Sequence, residues 1–261
     1  MHLMSKKLKS FVYPILAFAV FLLVWQVSVM LGNSEIGFPT PIEVFKEFFY
    51  MLTHKVGNYY TVIGHVLWSL SRVLIGFGIA GVLGIILGLT MGWFKYVRAV
   101  MMPVFNLLRP IAPLAWIPLA ILWFGIGEKY KYFLIFIAAF VPFTLNAFAG
   151  ASHVDKQLIG AARMLGASDS QLFFDIVVPA AIPSIFSGAQ VALSNSWMTM
   201  LAAEMVCATE GVGWIIIAGQ SVNDMTQMIA GMLAIGIVGL LLATGMRKLE
   251  GRCLIWNNQG R

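Results

Sequence analysis

Gly160-Ala161-Ala162-Arg163-Met164-Leu165-Gly166, followed after nine residues by Ile176-Val177-Val178-Pro179, is a small-residue, partly polar stretch inside an otherwise apolar chain. From Lys156 to Leu165, helical spacing puts Leu158, Ile159, Ala162 and Leu165 on one face, and Gly166 stands where such a helix stops. Ser168 or Asp169 can cap a second short helix carrying Leu172, Phe173 and Ile176, which Pro179 and Pro183 are expected to close. Two short helices joined at a glycine form a knob too small to bury its own apolar face. Something outside the knob must cover it.

Around this stretch the composition is that of a bilayer protein. Of 261 residues, 60% are hydrophobic and 11% charged, with a mean hydropathy of +0.87; soluble domains carry about 25% charged residues. Spanning a bilayer takes about 20 apolar residues, and six runs qualify: Phe11–Leu31, Val73–Trp93, Ala99–Phe124, Tyr132–Gly150, Ser184–Val206 and Met228–Met246. The first is too long for a signal peptide's apolar core and has no small-residue cleavage site after it, so it reads as a retained span. Apolar residues from Tyr59 to Leu70 predict that the second helix starts early. Between the first two spans, Thr40 and Pro41 open an amphipathic segment, Ile42–Phe49, suited to lie on the membrane interface.

Lysine and arginine placement in the short loops sets the orientation. Lys6, Lys7, Lys9, Lys95, Arg98, Lys156, Arg163, Arg247, Lys248, Arg252 and Arg261 fall on one side, against Lys46, Lys55, Lys129 and Lys131 on the other. Eleven against four predicts both termini and the 151–183 loop in the cytoplasm. Glu35, Glu43, Glu47, Glu128, Glu210 and Asp224 lie on the other side. Topology therefore accounts for the net charge of +6, with no nucleic-acid partner needed. Cys207 and Cys253 are far apart, and the four histidines are scattered, so no metal site is expected.

The opening stretch resembles the docking loop of ATP-binding-cassette importer permeases: Glu-Ala-Ala, three residues, Gly, nine residues, Ile, one residue, Leu-Pro. Ala161, Ala162, Gly166, Ile176 and Pro179 match, while Gly160 replaces the Glu and Val178 the Leu. Arg109-Pro110-Ile111-Ala112-Pro113-Leu114-Ala115-Trp116-Ile117-Pro118-Leu119, then Leu122-Trp123-Phe124-Gly125-Ile126-Gly127, is similar to the third-span signature of one permease branch. Ala202-Ala203-Glu204-Met205 and Gly211-Val212-Gly213-Trp214 resemble its fifth-span exit. That branch handles nitrate, bicarbonate, taurine and alkanesulfonates.

The resemblance implies an all-α integral membrane protein with six transmembrane helices and the type I importer permease (MetI-like) fold. Residues 1–65 would hold the first span and a periplasmic amphipathic segment, 66–250 the core with its coupling loop 151–183, and 251–261 a cytoplasmic tail. It implies a multi-pass protein of the bacterial inner membrane. Partners would be a second copy of the chain, two cytoplasmic ATP-binding subunits, a periplasmic or lipid-anchored substrate-binding protein, and membrane lipid. ATP and Mg would bind in the ATPase, and no cofactor on this chain; it has no GxxxxGK[ST] loop of its own. Gly160, Ala161, Ala162, Arg163, Leu165, Gly166, Ile176 and Pro179 would couple the permease to the motor. The cargo would be a small anion, or alternatively a neutral or cationic heterocycle. An ATP-independent secondary transporter is the more distant alternative, and an enzyme finds no suitable pair of ionisable groups.

Pro103, Pro110, Pro113 and Pro118 cannot all sit in one straight helix, and freed carbonyls in lipid need protein or water partners. A broken third span lining a wet cavity is expected. Arg109 falls inside it, a costly position that either meets an anionic substrate or ties down carbonyls. Pro113, Trp116, Asn146, Ser194, Trp197 and Glu204 complete the expected pathway, with Gln190, Asn195 and Thr199 as further polar candidates. Glu204 either pairs with a base or backbone amides, or gates the cavity; a direct bridge to Arg109 does not fit their depths. Arg72, near the end of the second span, is expected to snorkel to the interface. Gly76, Gly84, Gly88 and Gly92 suit close helix packing.

Overall fold

The computed structural model describes residues 2–31, 37–57 and 60–254, with side chains except those of residues 2–11 and 14. Tyr59, Glu35, Arg261 and the side chains of Lys6, Lys7 and Lys9 lie outside the described residues, as does the tail beyond Leu254. The described chain is helical, with only an isolated bridge between Val56 and Tyr60. It divides into two compact units, Met1–Ile63 with Ile215–Ala234, and Gly64–Trp214 with Ile235–Arg261.

In the first unit, α1 (His2–Leu31) carries its lysines at its start and is apolar nearly all round from Phe11 on. Its side chains from Ile15 to Leu31 are largely exposed, as a lipid-facing helix requires. Helix α2 (Pro41–Thr53) starts as the sequence predicts. Thr40 is its N-cap, accepting from the Glu43 amide, while the Glu43 carboxylate accepts from the Thr40 amide at 2.7 Å. Those two bonds complete a capping box, and the Thr40 amide, with its hydroxyl, holds the Glu43 carboxyl below its ordinary value. Val44 and Met51 are buried while Ile42, Phe49 and Tyr50 are exposed, so α2 keeps an apolar outer face fit for an interface.

The second unit is built on α3 (Val62–Trp93), α6 (Glu128–Ser152), α9 (Val178–Cys207) and the later part of α11 (Met225–Cys253). Helix α3 lies almost backbone to backbone on α6. A methyl group added at Gly88 would stand 2.4 Å from the Thr144 carbonyl oxygen, and one at Gly76, Gly84 or Gly92 would come within 2.9 Å of Ile135, Phe143 or Ala151. Helix α6 meets α9 the same way, Gly188 against Asn146 and Gly150 against Ala181. Val73, Ile135, Leu193, Trp197 and Met200 form one buried cluster of this unit, and Ala80, Ala139, Phe143 and Ala192 lie in the next.

The third span is broken. Helix α4 (Lys95–Leu108) and the segment Pro113–Phe124, a 3-10 turn leading into α5 (Ile117–Phe124), meet at 88°. The cause is local. Pro110 and Pro113 occupy the i+4 positions that would donate to the Asn106 and Arg109 carbonyls, and neither has an N–H.

Helix α7 (Lys156–Met164), capped by Asp155, ends at Leu165. Gly166 adopts φ +88°, its amide bonding to Arg163 O and that of Ala167 to Ala162 O. This is a Schellman termination, which favours glycine at the left-handed position. Ser168 caps α8 (Asp169–Gln171) through a box with Gln171. Here the sequence expectation fails: Pro179 and Pro183 close nothing. A π-turn over Leu172–Val177 leads straight into α9, which carries Pro179 in its first turn and Pro183 inside. Proline is tolerated in a first turn, and the i−5 register just before it hands over to the α register there.

Among the described residues four helical stretches are long and apolar enough to cross a membrane: Val62–Trp93, Glu128–Ser152, Asp169–Ser221, which includes α10 (Val212–Ser221), and Met225–Cys253. The bent pair makes a fifth, and Ile15–Leu31 is a shorter apolar helix.

Candidate functional site

The knob carries an uncovered apolar face. Met164 and Leu165 are 86% and 89% exposed, and Leu158 and Phe174 stand out beside them. The π-turn makes this possible: it turns Leu172 and Val177 fully inward while Phe174 faces out. Arg163 bridges to Asp169 at 2.7 Å across the Gly166 corner, an exposed pair of small energetic value. Leu165, Gly166, Ala167, Gln171, Asp175 and Ile176 line a shallow recess there of about 310 Å³. Ala161 and Ala162 lie on the helix before it, Pro179 just beyond, and Gly160 borders open space.

Trp116 apart, the expected pathway residues separate into three places. Arg109, Pro113 and Asn146 come together, with Asn106 and Asn195, in a cavity of about 560 Å³ formed by α4, α6 and α9. Arg109 is the C-cap of α4, one residue before Pro110 at the break, and its side chain is exposed in the single chain. Its guanidinium has no ion pair or hydrogen bond among the described residues, and no carboxylate lines the cavity. Asn146 donates to the Pro142 carbonyl at 2.9 Å and keeps its own oxygen available.

Ser194 and Trp197 line a second cavity of about 430 Å³, between α9 and α11, with Gln190, Gly239 and Arg247. Gln190 donates there to Glu250. Thr199 is buried on α9. Trp116 packs on Ala120, Tyr130, Leu134 and Ala203, and lines neither cavity.

Glu204 lies in a third place, and its partner is Arg72. The guanidinium of Arg72, fully buried, donates to Glu204 at 2.8 Å, to both Glu128 oxygens and to the Glu210 carbonyl at 3.0 Å. Lys131 shares Glu128 at 2.7 Å. The Ser69 hydroxyl donates to the Glu204 carboxylate, which also accepts from the Gly213 amide at 3.0 Å. Arg72 therefore does not snorkel. Buried Glu204 and partly exposed Glu128 pair with it directly, and the Glu210 carboxylate stands 4.0 Å away; that compensation offsets the cost of burial, whereas removing one partner from a buried pair costs about 3–5 kcal/mol. The missed signal was spacing: His65, Ser69 and Arg72 stand at i, i+4 and i+7 on an apolar helix, a polar stripe facing one way.

Residues 80–248 match the family described as binding-protein-dependent transport system inner membrane component. The taurine transport system permease of Escherichia coli is 34% identical, over 90% of this chain and 86% of its own length. The nitrate import permease of a Synechocystis strain is 35% identical, over 92% and 90%. A bicarbonate transport system permease of Synechococcus elongatus is 33% identical, over 91% and 87%. In fold, a chain of the inward-facing MetNI methionine ABC transporter superposes with a TM-score of 0.64 at 17% identity, covering 72% of this chain and 94% of that one.

Proposed function

This chain belongs to the family of binding-protein-dependent transport system inner membrane components, and we propose that it carries a small anion such as nitrate, bicarbonate or a sulfonate. At the coarser level its role is that of the family. It is a permease subunit of an ATP-binding-cassette importer, with the MetI-like fold, and is not an enzyme. In our reading two copies pair in a bacterial inner membrane, each with six spans and cytoplasmic termini. Two ATPase subunits, which bind ATP and Mg, dock on the knobs, and a substrate-binding protein delivers the anion from outside.

The carrying observation is the bare knob continuous with α9. Met164 and Leu165 on it are almost fully exposed, and its recess is lined in part by Leu165, Gly166 and Ile176, so docking there removes apolar area from water and grips a helix that runs through the core. The Arg109 cavity supports the choice of cargo, since a cation without a carboxylate neighbour favours an anion. Gly160, facing open space, leaves room for the motor at the point where the family pattern has a Glu.

The test is uptake by vesicles holding the purified chain with its ATPase, binding protein and radiolabelled nitrate, bicarbonate or taurine. ATP-dependent accumulation of one anion is expected. Accumulation by the chain alone, without ATPase, sinks the reading.

A further inference from the structure

The Arg72 cluster has no part in that reading, yet it is the most densely bonded polar group in the second unit. Three successive backbone amides are each held by a different side chain: Gly211 by His65 Nδ1 at 3.0 Å, Val212 by Ser69 Oγ at 2.9 Å and Gly213 by Glu204 at 3.0 Å. Gly211 has φ +119°, and any β-carbon there would fall 2.3 Å from the Glu204 carboxylate. The chain after α9 is thus moulded onto Glu204, and Arg72 fixes Glu204 in turn while tying α9 to Glu128 at the start of α6.

Glu204 lies one turn from the end of a helical stretch that begins in the knob. Residues Asp169 to Cys207 are helical without interruption, roughly 55 Å at 1.5 Å per residue. Leu172 and Val177 bury the knob end, Val177 against Leu89, Ala147 and Ala181. A rod of this kind transmits displacement only if its far end grips what it moves. Apolar packing would hold the helices together as firmly as a buried ion pair does, but it does not fix one carboxylate against the Gly213 amide, or His65 and Ser69 against the two amides before it.

We infer that the Arg72–Glu204 cluster is the far anchor of the coupling helix: Arg72 positions Glu204 so that displacement at the knob is delivered to the Gly211–Gly213 segment. This rests on the reading of Gly160–Pro179 as the motor's docking point. Arg72 and Glu204 are positioning residues and touch no substrate.

The experiment uses the complete importer in vesicles, with ATP hydrolysis and anion uptake read together. Arg72→Gln and Glu204→Gln should keep ATPase activity within about twofold of wild type while uptake per ATP falls about tenfold, the size of effect that network lesions produce. The double variant Arg72→Gln/Glu204→Gln leaves neither partner as a lone buried charge; it should assemble at the wild-type yield and be equally uncoupled. In a Cys207→Ala/Cys253→Ala background, a disulfide between Ser69→Cys and Val212→Cys should restore at least about half of the coupling to Glu204→Gln, and reductant should remove it. Unchanged uptake per ATP in the double variant overturns the inference. So does a parallel fall of hydrolysis and uptake that the disulfide leaves untouched, which is the mark of a merely structural role. Wild-type vesicles that accumulate anion without the ATPase overturn the importer reading and this inference with it.

Discussion

Two arginines on apolar segments have opposite surroundings, and the difference is chemical. Arg72 pairs with Glu204 and Glu128 and has the Glu210 carboxylate 4.0 Å away, so its charge is compensated by the protein itself. Arg109 ends a helix at a proline break and faces a cavity with three asparagines and no acid, so its charge is available to something that enters. Arg109→Gln should therefore lower the initial rate of anion uptake about tenfold, by loss of one charge-assisted hydrogen bond of ~1.5–3 kcal/mol. Yield of the assembled complex should stay at the wild-type level, and Arg109→Lys should recover part of the rate. Wild-type uptake by the glutamine variant removes Arg109 from the pathway. Sequence reading located Arg109 and Glu204 but not the partner of Glu204. Residue-by-residue reasoning treats Arg72 as a long side chain near a helix end, and only the stripe it forms with His65 and Ser69 shows which way it points.

At the scale of elements, the glycines and prolines were the readable part. Gly76, Gly84, Gly88 and Gly92 announced a close helix contact, and the structure supplies α6 as the partner surface. Gly88→Ala should cost about 1–3 kcal/mol, since a methyl group there must push on the Thr144 carbonyl rather than on a movable side chain. Gly78→Ala on the same helix meets nothing within 4 Å and should be silent. Thermal unfolding of the two variants in detergent checks the contrast; equal melting temperatures would refute the contact. The four prolines of the third span announced its break, although not its right angle, which depends on what each arm packs against. Pro179 misled for a related reason. Proline marks a helix end only where the residue before it leaves the α region, and a π-turn ahead of it alters the hydrogen-bond register without ending the helix. Nothing in Leu172–Val177 advertises that register.

For the whole molecule, spacing was more legible than chemistry. Five residues at fixed intervals, Ala161, Ala162, Gly166, Ile176 and Pro179, pointed to the family that residues 80–248 then matched. The anchor at Arg72 joins residues from α3, α6, α9 and the start of α10, the cavity at Arg109 residues from α4, α6 and α9, and no interval along the chain encodes either. Coupling is a property at this scale, and Ala162→Glu or Gly166→Asp should break it. Each places a carboxylate on the knob, and the aspartate is also strained at φ +88°. Membrane insertion should persist while ATP hydrolysis and uptake lose their proportionality in reconstituted vesicles; uptake at the wild-type rate would exclude the knob from the drive. The bareness of Met164 and Leu165 also bears on manufacture in the cell. A copy made in excess of its motor displays a sticky tip to chaperones and proteases, so the number of surviving permeases is expected to follow the supply of the ATPase that hides it.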